Sequence, residues 1–248
     1  MANEIPIDQL ERIVGKENLK VELQGVFISP ESSSEVSEVV KLANQQRFRL
    51  LPSGSGSILD PSKFTAGNVV VLRSDRLNKI NRVVAEDLYV ILQSGFPLKA
   101  LSQHLESFKL FYPLADPGSS GTMGGAVAAN LKGKSREKTL QTSDYVLSLE
   151  IVDPQGQILK VGARTFKSVT GYDLPRLYAG SWGTLGFISE ISLRLVPVRK
   201  RKDYPAVAFE QPTRERSRNQ DDPKALLNSR IKRSLDPNGV FISLDSLA

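Results

Sequence analysis

With 248 residues, 40% of them hydrophobic, the chain can bury one large core or two smaller ones packed together. It has no cysteine and one histidine, which excludes disulfides, thiolate metal sites, cysteine nucleophiles and histidine-rich metal centres. The net charge of +6 is dispersed except at Arg199 to Lys202 and at Arg214, Arg216 and Arg218; neither zinc-finger spacing nor an aromatic-basic signature accompanies it, so nucleic acid is not an expected partner.

The N-terminus, MANEIPIDQLERIV, is acidic and lacks a long apolar run, which is the pattern of neither a secretory signal nor a membrane span, and a cytoplasmic setting is expected. A helix is predicted over Ile7 to Val14, then a short strand at Val26 to Ser29 stopped by Pro30. Ser32 with Glu35 three residues on reads as a capping box, and Val36, Val39, Val40 and Ala43 recur at helical spacing, predicting a helix over 33–46. A strand at Phe48 to Pro52 leads into Ser53-Gly54-Ser55-Gly56-Ser57, placing this glycine-serine stretch after a β-α-β passage, where α/β folds put ligand loops.

Asn68 to Leu72 is a strand of the buried type. Ile80 to Ala85 and Leu88 to Gln93 form an expected hairpin turning at Glu86-Asp87, and Leu98, Leu101, Leu105 and Phe108 mark a helix carrying His104, to which no catalytic role is given. A strand over 145–152 turns at Asp153-Pro154-Gln155-Gly156 into Ile158 to Val161, and Phe187 to Val196 alternates again. From Pro197 to Pro223 the composition becomes polar and charged, the mark of a linker, before a last helix at Lys224 to Leu235.

Two familiar nucleotide motifs fail. A dinucleotide fingerprint needs glycine three residues after Gly56, where Leu59 stands, and a P-loop needs glycine five residues before Gly133-Lys134-Ser135, where Ala128 stands. What remains is a turn whose successive N–H groups can converge on an anion. Two further stretches spend small residues in the same way: Asp116 to Asn130 (DPGSSGTMGGAVAAN) and Ala179 to Ile188 (AGSWGTLGFI).

In order, LPSGSGS, SDRLNKI with VILQSGFPLKALSQHL, DPGSSGTMGGAVAAN, SDYVLSLEIVDPQGQILKVG and KSVTGYDLPRLYAGSWGTLGFISEISLRLVP resemble the FAD-linked oxidases of the vanillyl-alcohol-oxidase (PCMH) type, in particular the FAD-binding subunits of glycolate oxidase complexes. The resemblance runs through about residues 25 to 198 and implies an α+β fold: a PCMH-type FAD-binding domain of two α/β subdomains, about 25–112 and 113–198, with noncovalent FAD between them. It implies that Pro52, Ser53, Gly54, Ser55, Gly56, Ser57 and Ile58 wrap the pyrophosphate. Asp116, Pro117, Gly118, Ser119, Thr122, Gly124 and Gly125 would pass along pyrophosphate and flavin, and Ala128, Ala129 and Asn130 would continue that wall. Gly183, Thr184, Gly186, Phe187 and Ile188 would close over the cofactor.

Relatives of this type carry a substrate cap of well over a hundred residues before the closing helix. Here a polar linker at 199–223 is expected in its place, followed by the C-terminal helix and tail, 224–248. The cap also holds the metal-binding and proton-abstracting histidines of the catalytic 2-hydroxy-acid dehydrogenases, so no metal is expected and no catalytic base is identified. The expectation is an FAD-binding subunit of a 2-hydroxy-acid (glycolate or lactate) oxidising complex, working with catalytic and iron-sulfur subunits and reaching any membrane through them. Two alternatives stand beside it: a structural or regulatory subunit that keeps the fold without flavin, and a self-sufficient small oxidoreductase.

Overall fold

A computed structural model describes residues 4–57, 67–115, 118, 120–135, 138–163, 174–204, 207–210 and 223–243. The first helix, α1 (Ile7–Val14), buries Leu10 and Val14. It is followed by a hairpin of β1 (Leu19–Glu22) and β2 (Gly25–Ile28). In α2 (Ser33–Gln46) the Ser32 Oγ accepts the Glu35 N–H at 3.2 Å, as the capping box predicts. The Glu35 carboxylate accepts the N–H of Glu31 at 2.9 Å rather than that of Ser32, so the box closes one residue earlier than its usual form.

Next come β3 (Arg49–Ser53) and β4 (Val69–Arg73), each parallel to its neighbour in a sheet ordered β1-β2-β4-β3. Parallel strands are covered on both faces, which is why Val69, Val70, Val71 and Leu72 are all buried in one unbroken apolar run. The outer edge of β3 is closed by the C-terminal segment: Leu50 N–H donates to the Val240 carbonyl at 2.7 Å, and Ile242 N–H to the Leu50 carbonyl at 3.0 Å. An edge of unpaired backbone groups is thereby satisfied from residues almost two hundred positions away.

The chain continues through β5 (Ile80–Val84), β6 (Tyr89–Gln93), α3 (Leu98–Glu106), β7 (Leu110–Phe111), α4 (Met123–Ala128), β8 (Lys132–Ser135), β9 (Lys138–Gln141), β10 (Val146–Val152), β11 (Ile158–Gly162), α5 (Leu174–Tyr178), β12 (Phe187–Arg194), β13 (Val196–Pro197), β14 (Ala208–Phe209) and α6 (Pro223–Leu235). A second, antiparallel sheet is ordered β11-β10-β12-β6-β5. The division near residue 112 therefore does not follow the sheets, because the hairpin β5-β6 belongs with the later strands. Its place is set by pairs such as Leu92 with Ile191 and Val90 with Leu193, all four buried, which lie about a hundred residues apart.

Each sheet has its own core. One gathers Leu101, Leu105, Met123, Val127, Ile191 and Leu193 between the second sheet, α3 and α4; the other packs α1 and α2 on the first sheet. Val152 and Phe187, at one end of the second sheet, are buried in the first sheet's core. Polar contacts reinforce the join: Ser37 Oγ donates to the Gly156 carbonyl at 2.5 Å, and Asn44 Nδ2 to the Pro154 carbonyl at 2.7 Å.

The stretch expected as a polar linker from 199 to 223 is partly structured. Ala208 pairs with Lys134, Phe209 with Gly133, and Glu210 N–H donates to the Lys132 carbonyl at 3.1 Å, so β14 completes a small sheet β14-β8-β9. Gly133 makes this possible, since a Cβ there would collide with Val207 Cγ1 and lie 3.0 Å from Leu114 Cδ2. Residues 205–206 and 211–222 lie outside the described part. Among the described residues no helix is long and apolar enough to cross a membrane.

Candidate functional site

Three glycine-rich stretches converge where the two sheets meet. The first leaves β3 at Ser53, whose carbonyl accepts Ser74 N–H at 3.0 Å and so holds the loop to the end of β4. Gly54 passes so close to Thr122 that a Cβ would strike Oγ1, and Gly56 adopts a φ of 75°, a region open to glycine and strained for other residues. The N–H groups of Gly54, Ser55, Gly56 and Ser57 find no acceptor among the described residues. A run of unpaired amides of this kind can bind an anion.

The second stretch is stitched to the end of β6 and the start of α3. Leu98 N–H donates to the Gly121 carbonyl at 3.1 Å, Met123 N–H to Phe96 at 2.9 Å, and Gly124 N–H to Ser94 at 2.6 Å. This closeness excludes a side chain at 124, where a Cβ would lie 2.7 Å from Ser94 Cβ. Thr122 caps α4 by accepting Gly125 N–H at 3.2 Å. The third stretch hangs on the end of α4, with Gly180 N–H on the Val127 carbonyl at 3.1 Å and Trp182 N–H on Ala128 at 2.8 Å. It reaches the first stretch at Gly183, where a Cβ would stand 2.9 Å from Pro52 Cβ.

Between them lies a cleft of about 470 Å³, within the range of small-molecule and cofactor sites. Pro52, Ser53, Gly54, Ser55, Gly56, Ser57, Gly118, Thr122, Gly124, Gly125, Ala128, Ala129, Gly183, Gly186, Phe187 and Ile188 line it. Ile58, Asp116, Pro117 and Ser119 lie outside the described residues. Two expected residues are not on the wall. Asn130 instead holds the turn that follows β9, its Oδ1 accepting Ser143 N–H at 3.0 Å; Thr184 turns inward on its own loop, its hydroxyl donating to Ser181 O at 2.7 Å.

The wall also holds residues that sequence reasoning missed, among them Ser74, Ser94, Trp182, Phe209 and Glu210. Ser74 and Ser94 follow β4 and β6 directly, so strand ends facing a common cleft were the available signal. Phe209 and Glu210 gave no signal, because they reach the cleft only through the pairing of β14 with β8. Ser94 is 1% exposed and its Oγ has no hydrogen-bond partner. A buried hydroxyl left unpaired is costly, and on a cleft wall it fits a ligand's polar edge. Among the described lining residues, Glu210 alone has an ionisable side chain. His104 is elsewhere, exposed on α3 with its ring 5.6 Å from that of Phe108.

A cleft of this size on an α+β fold, walled by backbone from three glycine-rich stretches and bordered on one side by unpaired amides, has the room and the donors that a dinucleotide such as FAD needs. Residues 25–162 match the FAD-binding-domain family, and the chain belongs to it; its cofactor is FAD. A D-lactate dehydrogenase of Anaerostipes hadrus is 39% identical over 71% of this chain and 37% of its own length. The glycolate oxidase subunit GlcD of Bacillus subtilis is 35% identical over 74% of this chain and 39% of its own. An alkyldihydroxyacetonephosphate synthase structure superposes with a TM-score of 0.66 at 21% identity, over 77% of this chain and 40% of that one, which shows a shared fold. The chain thus spans about two fifths of the length of these proteins.

Proposed function

We propose that this chain holds FAD noncovalently in the cleft, as the flavin-carrying part of a complex that oxidises a 2-hydroxy acid of the glycolate or lactate class. The names of two relatives, a D-lactate dehydrogenase and a glycolate oxidase subunit, support the substrate class. In such chemistry FAD takes a hydride equivalent from the carbon bearing the hydroxyl and hands the electrons on. The chain's own contribution is binding and orientation. The amides of 54–57 meet the pyrophosphate charge, Gly124 and Gly183 let the backbone come close, and Ser94 donates to or accepts from a polar edge. With no cysteine and its one histidine on α3, the sequence offers neither residue type at the wall for a covalent link.

The observation that carries the division of labour is the charge of the wall. A 2-hydroxy acid presents a carboxylate, which is bound where Arg or Lys can pair with it. The described wall offers only the Glu210 carboxylate, which repels one. Substrate recognition and removal of the hydroxyl proton are therefore assigned to a catalytic partner, with electron transfer onward to an iron-sulfur subunit. In this reading the chain works in the cytoplasm and meets a membrane only through its partners.

The test is direct. Purified chain incubated with FAD and freed of excess should show a flavin spectrum at one FAD per chain, released by denaturation, and should not be bleached by glycolate or lactate alone. Absence of bound flavin would sink the assignment, and rapid bleaching without a partner would replace it with a self-sufficient oxidoreductase.

A further inference from the structure

Trp182 is the chain's sole tryptophan, and it lies on the cleft wall in the left-handed region, at φ 57°. That region suits glycine and is strained for a bulky residue. Glycine stands on both sides of it, Gly180 at φ 85° and Gly183 at φ 75°, so the loop uses glycine where the backbone turns this way and departs from it at one position. Strain of this kind persists where surrounding structure holds it, and it concentrates at ligand sites. Here the holding bond is Trp182 N–H on the Ala128 carbonyl at 2.8 Å, which hangs the residue from the end of α4 beside Ala128 and Ala129 on the same wall.

The side chain has no polar or ring partner among the described residues. It is half-buried, its indole N–H has no hydrogen bond among the described residues, and no aromatic ring packs against it there. A large flat ring kept in a strained backbone, unpaired, on the wall of a cofactor cleft is a surface for another flat ring. We infer that Trp182 is a stacking platform for one of the two heteroaromatic ring systems of the dinucleotide, adenine or isoalloxazine. The inference rests on the assignment of the cleft to FAD and adds to it the residue that orients a ring. Both ring systems have the π-face that stacking requires, and such contacts tolerate differences in the partner ring.

The experiment measures dissociation constants of the full chain for FAD, ADP and FMN by titration calorimetry, with melting of the unliganded protein alongside. Variants are Trp182→Phe, Trp182→Leu and Trp182→Gly. Leu and Gly should each weaken FAD binding by roughly tenfold or more, and Phe by much less. Trp182→Gly should melt close to the parent, because relief of the strained φ offsets the lost burial of the half-buried ring. The same loss should recur with one fragment only, ADP if the platform serves adenine and FMN if it serves isoalloxazine. Equal FAD affinity across all four proteins would overturn the inference while leaving the cleft assignment intact. So would a loss in which Phe suffers as much as Leu and melting falls in parallel, the pattern of a packing residue. If the parent protein takes up no FAD at all, the cleft assignment fails and the inference with it.

Discussion

Ser94 shows at the scale of one residue how stability and binding are set against each other. Its Oγ is buried and unpaired, so removing it costs the unliganded fold nothing and deprives the ligand of a partner. Ser94→Ala should leave the melting temperature of the unliganded protein unchanged or slightly higher, while weakening FAD binding by about three- to tenfold, equivalent to ~1 kcal/mol in a titration. The glycines of the first loop fail for different reasons when replaced. Gly54→Val drives a methyl group into Thr122, whereas Gly56→Val is resisted by its own φ of 75°. Both should abolish flavin uptake in the absorbance assay, and Ser55→Ala, whose exposed hydroxyl bonds to Ser57 Oγ at 3.2 Å, should reduce it modestly. Equal tolerance of all three changes would reduce the loop to a connector.

Among the elements, α6 ties both halves of the molecule to the C-terminal segment. Lys232 Nζ donates to Asp236 Oδ2, to the Thr184 carbonyl at 2.6 Å and to the Phe241 carbonyl at 2.7 Å, so all three of its protons are placed. Asp236 in turn accepts the N–H groups of Val240 and Phe241, the residues that close the edge of β3. Lys232→Ala would leave a fully buried carboxylate without its cation, a loss of about 3–5 kcal/mol for such pairs, and should lower the urea midpoint accordingly. The strap β14 makes a second element-scale prediction. Gly133→Val should push Val207 and β14 off β8, press on the buried Leu114 beside it, and speed FAD dissociation in a stopped-flow exchange with excess apoprotein. Unchanged dissociation would mean that the strap does not hold the cofactor.

The legibility of the elements followed their chemistry. α1, α2 and the hairpins β5-β6 and β10-β11 carry apolar residues at periods of 3.6 and 2, and their ends lie within a residue or two of expectation. The strands β8 and β9, KGKS and KTLQ, are polar and short, and α4, MGGAVA, is dominated by small residues. These three had no periodic signal to read, because partners elsewhere in the chain supply what their own side chains lack.

For the whole molecule, buried tyrosines set the alkaline limit. Burial raises the ionisation of Tyr112, Tyr145 and Tyr178 above the ordinary tyrosine value of about 10, with the Thr142 hydrogen bond opposing the rise at Tyr112. A group whose folded pKa lies above its unfolded one contributes stability below the unfolded value and loses it as pH rises towards the folded value. The free energy of unfolding should therefore fall steadily above pH ~10. Lys232 has the opposite sense: burial lowers its pKa, so the unfolded chain holds the proton more tightly and this group favours the fold as pH rises. The tyrosines outnumber it, and denaturant midpoints that climbed above pH ~10 would contradict this assignment. Tyr112→Phe, which removes the phenol but keeps the ring against Tyr145, should flatten the decline.

The amino-acid sequence determined by itself that glycine would crowd three places, in an order and spacing shared with FAD-binding proteins, because backbone clearance can be met by no other residue and is visible in the letters. Tertiary structure alone decided what those places do together. It brought Gly54 against Thr122, Gly183 against Pro52 and Gly124 against Ser94, moved the hairpin β5-β6 into the later sheet, and turned part of a polar stretch into a strap beside the cleft. It also left Ser94 without a partner and Trp182 strained on the wall. Those outcomes depend on strand pairings between residues about a hundred positions apart. Local periodicity cannot encode such pairings, and only burial of both partners fixes them.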